Sequence, residues 1–165
     1  MRPHLLKHPN IPKPLHGLAP RVVRGQAWWD QERRAAYKRA KGMCEACGVR
    51  FEEAKLHQRP EAHECYSFDY TTGRIEYLEA VALCHYCHMS IHDGKLLMDL
   101  RAGRISRELY DDILAHKIRI LAIATESYPV TGAGAQWVDY HMVIDGVRYE
   151  QRFHSYEEWE EFYRE

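Results

Sequence analysis

The sequence has no uninterrupted apolar stretch of the roughly 18 residues that a membrane-spanning helix requires. Its N-terminus also lacks the apolar stretch that is typical of a secretory signal. We therefore expect a cytoplasmic protein with no membrane contact, in a compartment where thiols stay reduced. In such a compartment the five cysteines predict metal binding or thiol chemistry before disulfides.

Neither sign of charge is in excess over the 165 residues, whose formal net charge is −1. The distribution is uneven: residues 1–60 carry 13 basic and 5 acidic side chains, whereas the remainder carries 10 basic and 19 acidic ones. A basic first third is typical of a surface that contacts phosphates, although two solvated faces would give the same pattern. The length predicts one main domain with appended segments.

The chain divides into three predicted segments. Residues 1–25 hold five of the seven prolines, which predicts an extended, basic, proline-rich arm. This arm could cover the body of the protein, a second subunit of a homodimer, or a nucleic-acid backbone. Residues 26–125 are predicted to form the central domain, beginning with a helix over 26–41 that Gly42 ends. Residues 126–165 form an acidic appendage.

The central segment predicts a β-hairpin followed by a helix. One arm of the hairpin is Ala62–Phe68, the turn is Asp69–Gly73, and the other arm is Arg74–Leu83. The helix is predicted over 85–101, with Gly94 as a break inside it. The order of two strands and a helix predicts an α+β protein.

A further helix is predicted over 106–124, with Ser106 as its N-cap. Apolar residues at helical spacing predict its buried stripe. These are Tyr110, Leu114, Ile118 and Leu121.

The C-terminal segment begins with a predicted linker over 126–135. A second hairpin then pairs Trp137–Ile144 with Val147–Phe153 through the turn Asp145-Gly146. Ser155 caps a short helix over Tyr156–Arg164. Residues 126–165 hold 9 acidic and 3 basic side chains, a charge that suits a protein partner better than DNA.

Two Cys-x-x-Cys pairs carry the strongest chemical signal. Cys44 and Cys47 form one pair, and Cys84 and Cys87 form the other, with 36 residues between the pairs. The two-residue gap lets both sulfurs of a pair reach one Zn²⁺ at roughly 2.3 Å. We therefore predict a structural Cys₄ zinc site, with the hairpin folded between its halves. The fifth cysteine, Cys65, is predicted to be a small buried apolar residue.

The histidines beside the second cysteine pair allow other interpretations of this part of the sequence. Cys84-x-x-Cys87-His88 also fits a c-type haem attachment, which would require export from the cytoplasm. His88 and His92 lie four residues apart on a predicted helix, so both could hold one ion. A structural pair of surface or core histidines has the same spacing.

His63, in the first arm of the hairpin, is a third candidate. A hairpin that returns to the helix could bring His63 close to His88 and His92. An imidazole beside a divalent ion is well suited to take a proton from water at neutral pH. Taken alone, a histidine such as His63 is more often a structural or surface residue.

Together these signals resemble the HNH endonuclease family, over roughly residues 43–100. The string Leu83-Cys84-His85-Tyr86-Cys87-His88, followed by His92, is similar to the zinc-stapled form of the family motif. His88-x-x-x-His92-x-Gly94-Lys95 also resembles the metal-binding helix of colicin-type DNases. Further strings, in 13–17 and 26–30, resemble uncharacterised bacterial and phage proteins of HNH type.

The resemblance implies a ββα-metal fold and hydrolysis of phosphodiester bonds in DNA. His63 would be the general base, and His88 and His92 would hold a catalytic Mg²⁺, Mn²⁺, Ni²⁺ or Zn²⁺. Zinc at the four cysteines would be purely structural. Phosphate contacts are expected from the basic residues of the first segments. These are Arg21, Arg24, Arg33, Arg34, Lys38, Arg39 and Lys41.

Two family positions differ in this chain. Ala62 stands where many members carry a further metal ligand before the base, and Glu79 stands near the position usually held by Asn. Glu64, Glu79 or Asp93 would then complete the metal shell. The alternative is a catalytically inactive zinc-binding module that binds nucleic acid or a protein partner.

Overall fold

A computed structural model of the chain describes residues 1–126, 130–132 and 134–164. The described residues form an α+β fold, as predicted, with six α-helices and a mixed β-sheet. No helix among them has both the length and the apolar character needed to cross a membrane. Part of the predicted linker over 126–135, namely 127–129 and 133, lies outside the described residues.

The chain is organised as two compact units, each assembled from separate segments. The first unit consists of Met1–His8, Arg33–His63 and Ala80–Ser127. The second unit consists of Pro9–Glu32, Glu64–Glu79 and Tyr128–Glu165. These units differ from the three consecutive segments predicted from the sequence, because both units combine pieces that are distant in sequence.

The sheet is built on the predicted central hairpin. Strand β1 is Glu61–Asp69, β2 is Arg74–Leu83, β3 is Val130–Thr131, β4 is His141–Ile144 and β5 is Val147–Glu150. Their order across the sheet is β3-β1-β2-β4-β5. β3 pairs parallel with β1, β4 pairs parallel with β2, and β5 pairs antiparallel with β4. The bounds of β1 and β2 confirm the predicted hairpin.

Both hairpin turns depend on glycine. Gly73 has φ +71°, and a Cβ there would lie 2.7 Å from the backbone carbonyl of Asp139. Asp145 and Gly146 both have positive φ, at 51° and 75°, which is typical of the predicted two-residue turn. The second hairpin is shorter than predicted, because Trp137–Asp139 forms a turn of 3₁₀ helix before β4 begins.

The core of the second unit lies on one face of the sheet. Alternate residues of β1 and β2 supply Tyr66, Phe68, Ile75 and Tyr77, in accordance with the two-residue period of a strand. The remaining buried members of this core come from the N-terminal segment and β4. They are Leu15, Met142 and Ile144.

The first 25 residues are not the extended arm that their prolines predict. They form turns of 3₁₀ helix at Pro3–Leu6 and Lys13–Leu15, and helix α1 at Pro20–Arg24. In each of these elements a proline occupies the first or second position, where its missing N–H costs nothing. Leu5, Leu6 and Leu15 are each 1% exposed, so the segment belongs to the packed protein.

The longer helices follow the predicted positions. Helix α2 is Gln26–Ala40, α3 is His85–Ile91, α4 is Asp93–Arg101, α5 is Arg107–Leu121 and α6 is Tyr156–Arg164. α3, α4 and α5 pack against one another in the first unit.

Two details of these helices differ from the sequence prediction. The break in the 85–101 helix falls at His92, which has ψ 56°, and Gly94 lies inside α4. Ser106 caps α5 as predicted, since its Oγ accepts the N–H of Leu109 at 3.1 Å. The buried face of α5 is centred on Ile113, which is 0% exposed, whereas Ile118 of the predicted stripe is 69% exposed. The prediction was therefore wrong for Ile118, whereas Tyr110, Leu114 and Leu121 of the same stripe are half-buried.

Candidate metal centres

The four cysteines of the predicted zinc site lie together in the first unit. Cys44 and Cys47 belong to a tight turn in which Cys44 N–H donates to Val49 O and Gly48 N–H donates to Cys44 O. Cys84 is the residue before α3, and Cys87 lies in the first turn of that helix. The turn and the helix end therefore present two sulfurs each.

The geometry of the four thiols suits one tetrahedral ion. All four sulfurs lie within 4.8 Å of one another, and Sγ of Cys47 is 3.8 Å from Sγ of Cys84. A tetrahedral ion with metal–sulfur bonds of about 2.3 Å separates its sulfurs by about 3.8 Å. The cluster could therefore hold a metal such as zinc. Cys65 is 1% exposed and is not part of it.

A histidine that the motif did not predict touches this cluster. Nε2 of His116, on α5, lies 3.2 Å from Sγ of Cys87. An imidazole N–H at that distance can donate to a metal-bound thiolate and so orient it. No spacing rule could have identified His116, because it follows Cys87 by 29 residues and lies in a separate helix.

The thiols perturb one another strongly. Hydrogen bonds from Cys44 first, and then from Cys84 and Cys87, hold the pKa of Cys47 well below its usual range. Hydrogen bonds with Cys44, Cys47 and Cys84 raise the pKa of Cys87. A divalent cation among the four sulfurs would neutralise the negative charge of the thiolates that bind it.

A second group contains the three histidines that the sequence singled out. His63 lies on β1 and is 4% exposed, His88 lies on α3, and His92 lies at the junction of α3 and α4. One ligand nitrogen of each lies within 4.8 Å of the others, and the Nε2 atoms of His88 and His92 are 3.3 Å apart. A four-coordinate ion with bonds of about 2.0–2.1 Å separates its ligands by about 3.3–3.4 Å.

His92 favours the neutral, metal-binding form. Burial of the ring lowers the pKa of His92, and the nearby charges of His88 and Lys95 lower it further. A neutral imidazole keeps the lone pair with which it binds a metal.

Glu61, at the start of β1, places a carboxylate beside His88. Its Oε2 lies 2.7 Å from Nδ1 of His88, at ion-pair distance although not aligned as a standard hydrogen bond. Its Oε1 lies 3.0 Å from Nε2 of His57 and 2.9 Å from Nδ1 of His85. Burial acts to raise the pKa of Glu61, but His88 and then His85 outweigh it and lower that pKa to about 2.

The spacing of Glu61 and His63 in the sequence could have identified Glu61 as a site residue, although the family motif does not include it. Residues two apart in a strand face the same side, so Glu61 shares a face with His63, whereas Glu64 faces the other way. Glu64 and Glu79 belong to none of the metal-binding groups among the described residues. Asp93 is also outside them, and both of its carboxylate oxygens accept from Nζ of Lys117 at 2.8 Å.

Two cavities flank Glu61 within the first unit. One, of about 430 Å³, is lined by Glu61, His85, His88 and His92, and also by Lys95 and Arg104. The buried carboxylate of Asp99 accepts from Lys95 at 2.5 Å and from Arg104 at 2.7 Å, and so holds both cations beside the histidines. The other cavity, of about 370 Å³, is lined by Arg33, Tyr37, His57, Arg59, Pro60 and Glu61.

The predicted phosphate-contacting residues fall into two classes. Arg21, Arg34, Lys38 and Lys41 are exposed. Two others are engaged within the protein: Arg39 donates to Glu45 and to Ala80 O, and Arg24 pairs with Asp145 at 2.9 Å. Arg33 lines the smaller cavity.

The four tryptophans take part in the packing of the second unit. Trp29 is buried, at 7% exposure, and Trp28 packs edge-on against Tyr77. Trp137 Nε1 donates to Phe153 O at 2.7 Å, and Trp159 Nε1 donates to Nδ1 of His16 at 3.0 Å.

No protein-family model, curated protein or solved structure matches this chain.

Proposed function

We propose that this protein is a metal-dependent endonuclease of HNH type that hydrolyses phosphodiester bonds in DNA. The observation that carries the proposal is the group of His63, His88 and His92, whose ligand nitrogens lie within 4.8 Å of one another. His63 lies in the first strand of a hairpin, His88 lies in the helix that follows it and His92 directly follows that helix, the order expected of a ββα-metal fold. The Cys₄ cluster at the start of that helix would hold a structural zinc.

His88 and His92 would hold the catalytic divalent ion through their Nε2 atoms. Nδ1 of His88 faces Glu61 Oε2 at 2.7 Å, which leaves Nε2 available for the ion. The bound ion would supply a water of lowered pKa and stabilise charge on the phosphoryl oxygens.

His63 would accept the proton of the attacking water. Its ring centroid lies 4.9 Å from that of His92 and 5.4 Å from that of His88, so its nitrogen can reach a water held by the same ion. Because the ring of His63 is buried, it has few orientations, and this would keep its accepting nitrogen directed at the attacking water. Removal of a general base typically lowers the rate by about 10²–10⁴-fold.

The cationic residues of the larger cavity would bind the scissile phosphate. Lys95 and Arg104 share one partner, Asp99, so the trio keeps one net positive charge beside the histidines. The exposed basic residues of α2 would hold the rest of the DNA backbone through phosphate contacts, without reading its sequence.

The proposal is tested by nicking of supercoiled plasmid with Mg²⁺, Mn²⁺, Ni²⁺ or Zn²⁺. We expect the wild type to nick, and His88→Ala/His92→Ala to lose both nicking and one bound ion. His63→Gln, which preserves ring-sized packing better than alanine, should lose at least about 100-fold in rate while it keeps that ion. His154→Ala, in an exposed residue outside the metal-binding groups, is the matched control.

The alternative is a non-catalytic zinc module. Ala62 provides no ligand side chain, and Glu64, Glu79 and Asp93 lie outside the metal-binding groups of the described residues. Wild-type protein that holds zinc but nicks no plasmid with any of the four ions would establish this alternative and refute the nuclease.

A further inference from the structure

We propose that His57, Glu61 and His85 form a second divalent-cation site in the first unit, distinct from the three-histidine group. The ligand atoms are Nε2 of His57, Oε1 of Glu61 and Nδ1 of His85. The site takes a six-coordinate ion of the Mn²⁺, Co²⁺ or Ni²⁺ class, with its remaining positions open to water.

The three distances between the ligand atoms support this assignment. They are 3.0 Å from His57 to His85, 3.0 Å from His57 to Glu61 and 2.9 Å from His85 to Glu61. An ion with bonds of about 2.1 Å and ligands at right angles separates neighbouring ligand atoms by about 3.0 Å. The triangle is therefore one face of an octahedron, with two imidazoles and one carboxylate.

Protons alone satisfy this triangle poorly. If Nε2–H of His57 donates to His85, the lone pair of His85 Nδ1 faces the lone pairs of Glu61 at 2.9 Å. If both nitrogens donate to Glu61 instead, their two N–H groups lie side by side with the nitrogens 3.0 Å apart. A cation at the centre accepts all three lone pairs at once, which removes both conflicts.

The environment gives an ion access to the site. The three side chains are each about a quarter exposed, at 28% for His57, 26% for Glu61 and 26% for His85. The larger cavity reaches His85 and Glu61, and the smaller cavity reaches His57 and Glu61. Water can therefore occupy the open positions, and the ion has a path of entry.

Glu61 connects this site to the three-histidine group. Its Oε1 would bind the second ion while its Oε2 contacts Nδ1 of His88 at 2.7 Å. The second ion would therefore fix the carboxylate that orients His88. The site does not depend on nuclease activity, because the test below measures bound metal.

The test is equilibrium dialysis of the zinc-loaded protein against Mn²⁺, with bound manganese counted per chain. The wild type and the control His154→Ala should each bind two Mn²⁺, and His57→Ala should bind one. His88→Ala/His92→Ala should also keep one, at the His57 site. If His57→Ala retains a second ion, its dissociation constant should rise by at least about tenfold.

Three results would overturn the proposal: a wild type that binds no Mn²⁺, a wild type whose single ion is lost only in His88→Ala/His92→Ala, or a His57→Ala protein with unchanged stoichiometry and affinity. Circular dichroism and zinc content show whether each variant is folded.

A measurement on the wild type removes any dependence on the variants, because bound Mn²⁺ must broaden the ring NMR signals of His57 and His85. Sharp signals from both rings at saturating Mn²⁺ would exclude the site.

Discussion

Nδ1 of His88 lies 2.7 Å from Oε2 of Glu61, while Nε2 of the same ring lies 3.3 Å from Nε2 of His92. The carboxylate therefore determines which nitrogen of His88 is left for a metal. Carboxylate–histidine pairs of this kind fix the ring and raise the basicity of the ligand nitrogen.

Glu61→Gln should weaken the ion at His88 and His92. An amide carries no charge and aligns His88 less well, so the dissociation constant for Mn²⁺ should rise by about 10–100-fold. Equilibrium dialysis measures it with His57→Ala present in every protein compared, because Glu61 is also a ligand of the second proposed site. Glu64→Gln, one residue from His63 on the opposite strand face, is the matched control and should change little. Equal affinities in the wild type and Glu61→Gln would show that Glu61 does not act on His88.

Cys84→Ser should remove the structural metal and unfold the first unit. Elemental analysis should give one zinc per chain in the wild type and none in this variant, with a lower melting temperature. Cys65→Ala should keep its zinc, because Cys65 lies outside the cluster. Zinc retained at full stoichiometry by Cys84→Ser would contradict a Cys₄ site.

His116→Ala should keep the four sulfurs but lose the contact to Cys87. We expect zinc to be retained and its affinity to fall by about 10–100-fold, as for other partners of metal ligands. Competition with a chromophoric chelator measures the affinity. A chelator curve that coincides with that of the wild type would show that His116 has no part in holding the metal.

Ile113→Ala should destabilise the protein far more than Ile118→Ala. Ile113 is 0% exposed and Ile118 is 69% exposed, on the same helix and with the same side chain. Truncation of a buried isoleucine costs about 2–5 kcal/mol, whereas an exposed one costs within about 0.5 kcal/mol. Urea unfolding of the zinc-loaded protein measures both. Similar losses from the two variants would mean that α5 packs through a different face.

Arg34→Ala/Lys38→Ala should reduce the salt dependence of DNA binding. Both residues are exposed on α2, and each phosphate contact contributes about 0.9 to the slope of log K against log salt. Loss of both should lower the slope by about 2. Arg148→Ala, whose guanidinium pairs with Glu150, is the control and should leave the slope unchanged. A slope that is the same in all three proteins would place the DNA elsewhere.

The sequence was sufficient where a local rule determines the outcome. The strand period and the turn residues gave the hairpin of β1 and β2, and Ser106 marked the start of α5. The two Cys-x-x-Cys pairs predicted the cluster of four thiols. When two residues separate two cysteines, one tight turn can bring both sulfurs to a single ion.

Proline misled the prediction for the N-terminal segment. Each proline fixes φ near the value that a first helical turn needs. Proline can therefore begin a short helix, although it interrupts a helix when it lies in the interior. The burial of Leu5, Leu6 and Leu15 decided between these outcomes. Burial depends on the remainder of the fold, which no local rule contains.

The sequence by itself determined the α+β class, the helices α2, α5 and α6, the central hairpin and the candidate ligands Cys44, Cys47, Cys84 and Cys87. Only the tertiary structure brought His116 to Cys87, and His85 to His57 and Glu61, because these residues belong to separate segments of chain. It also paired Asp93 with Lys117 and left Glu61 as the carboxylate beside His88. Spacing along the chain sets which side chains share a turn or a strand face, whereas packing between elements decides which charges meet across them.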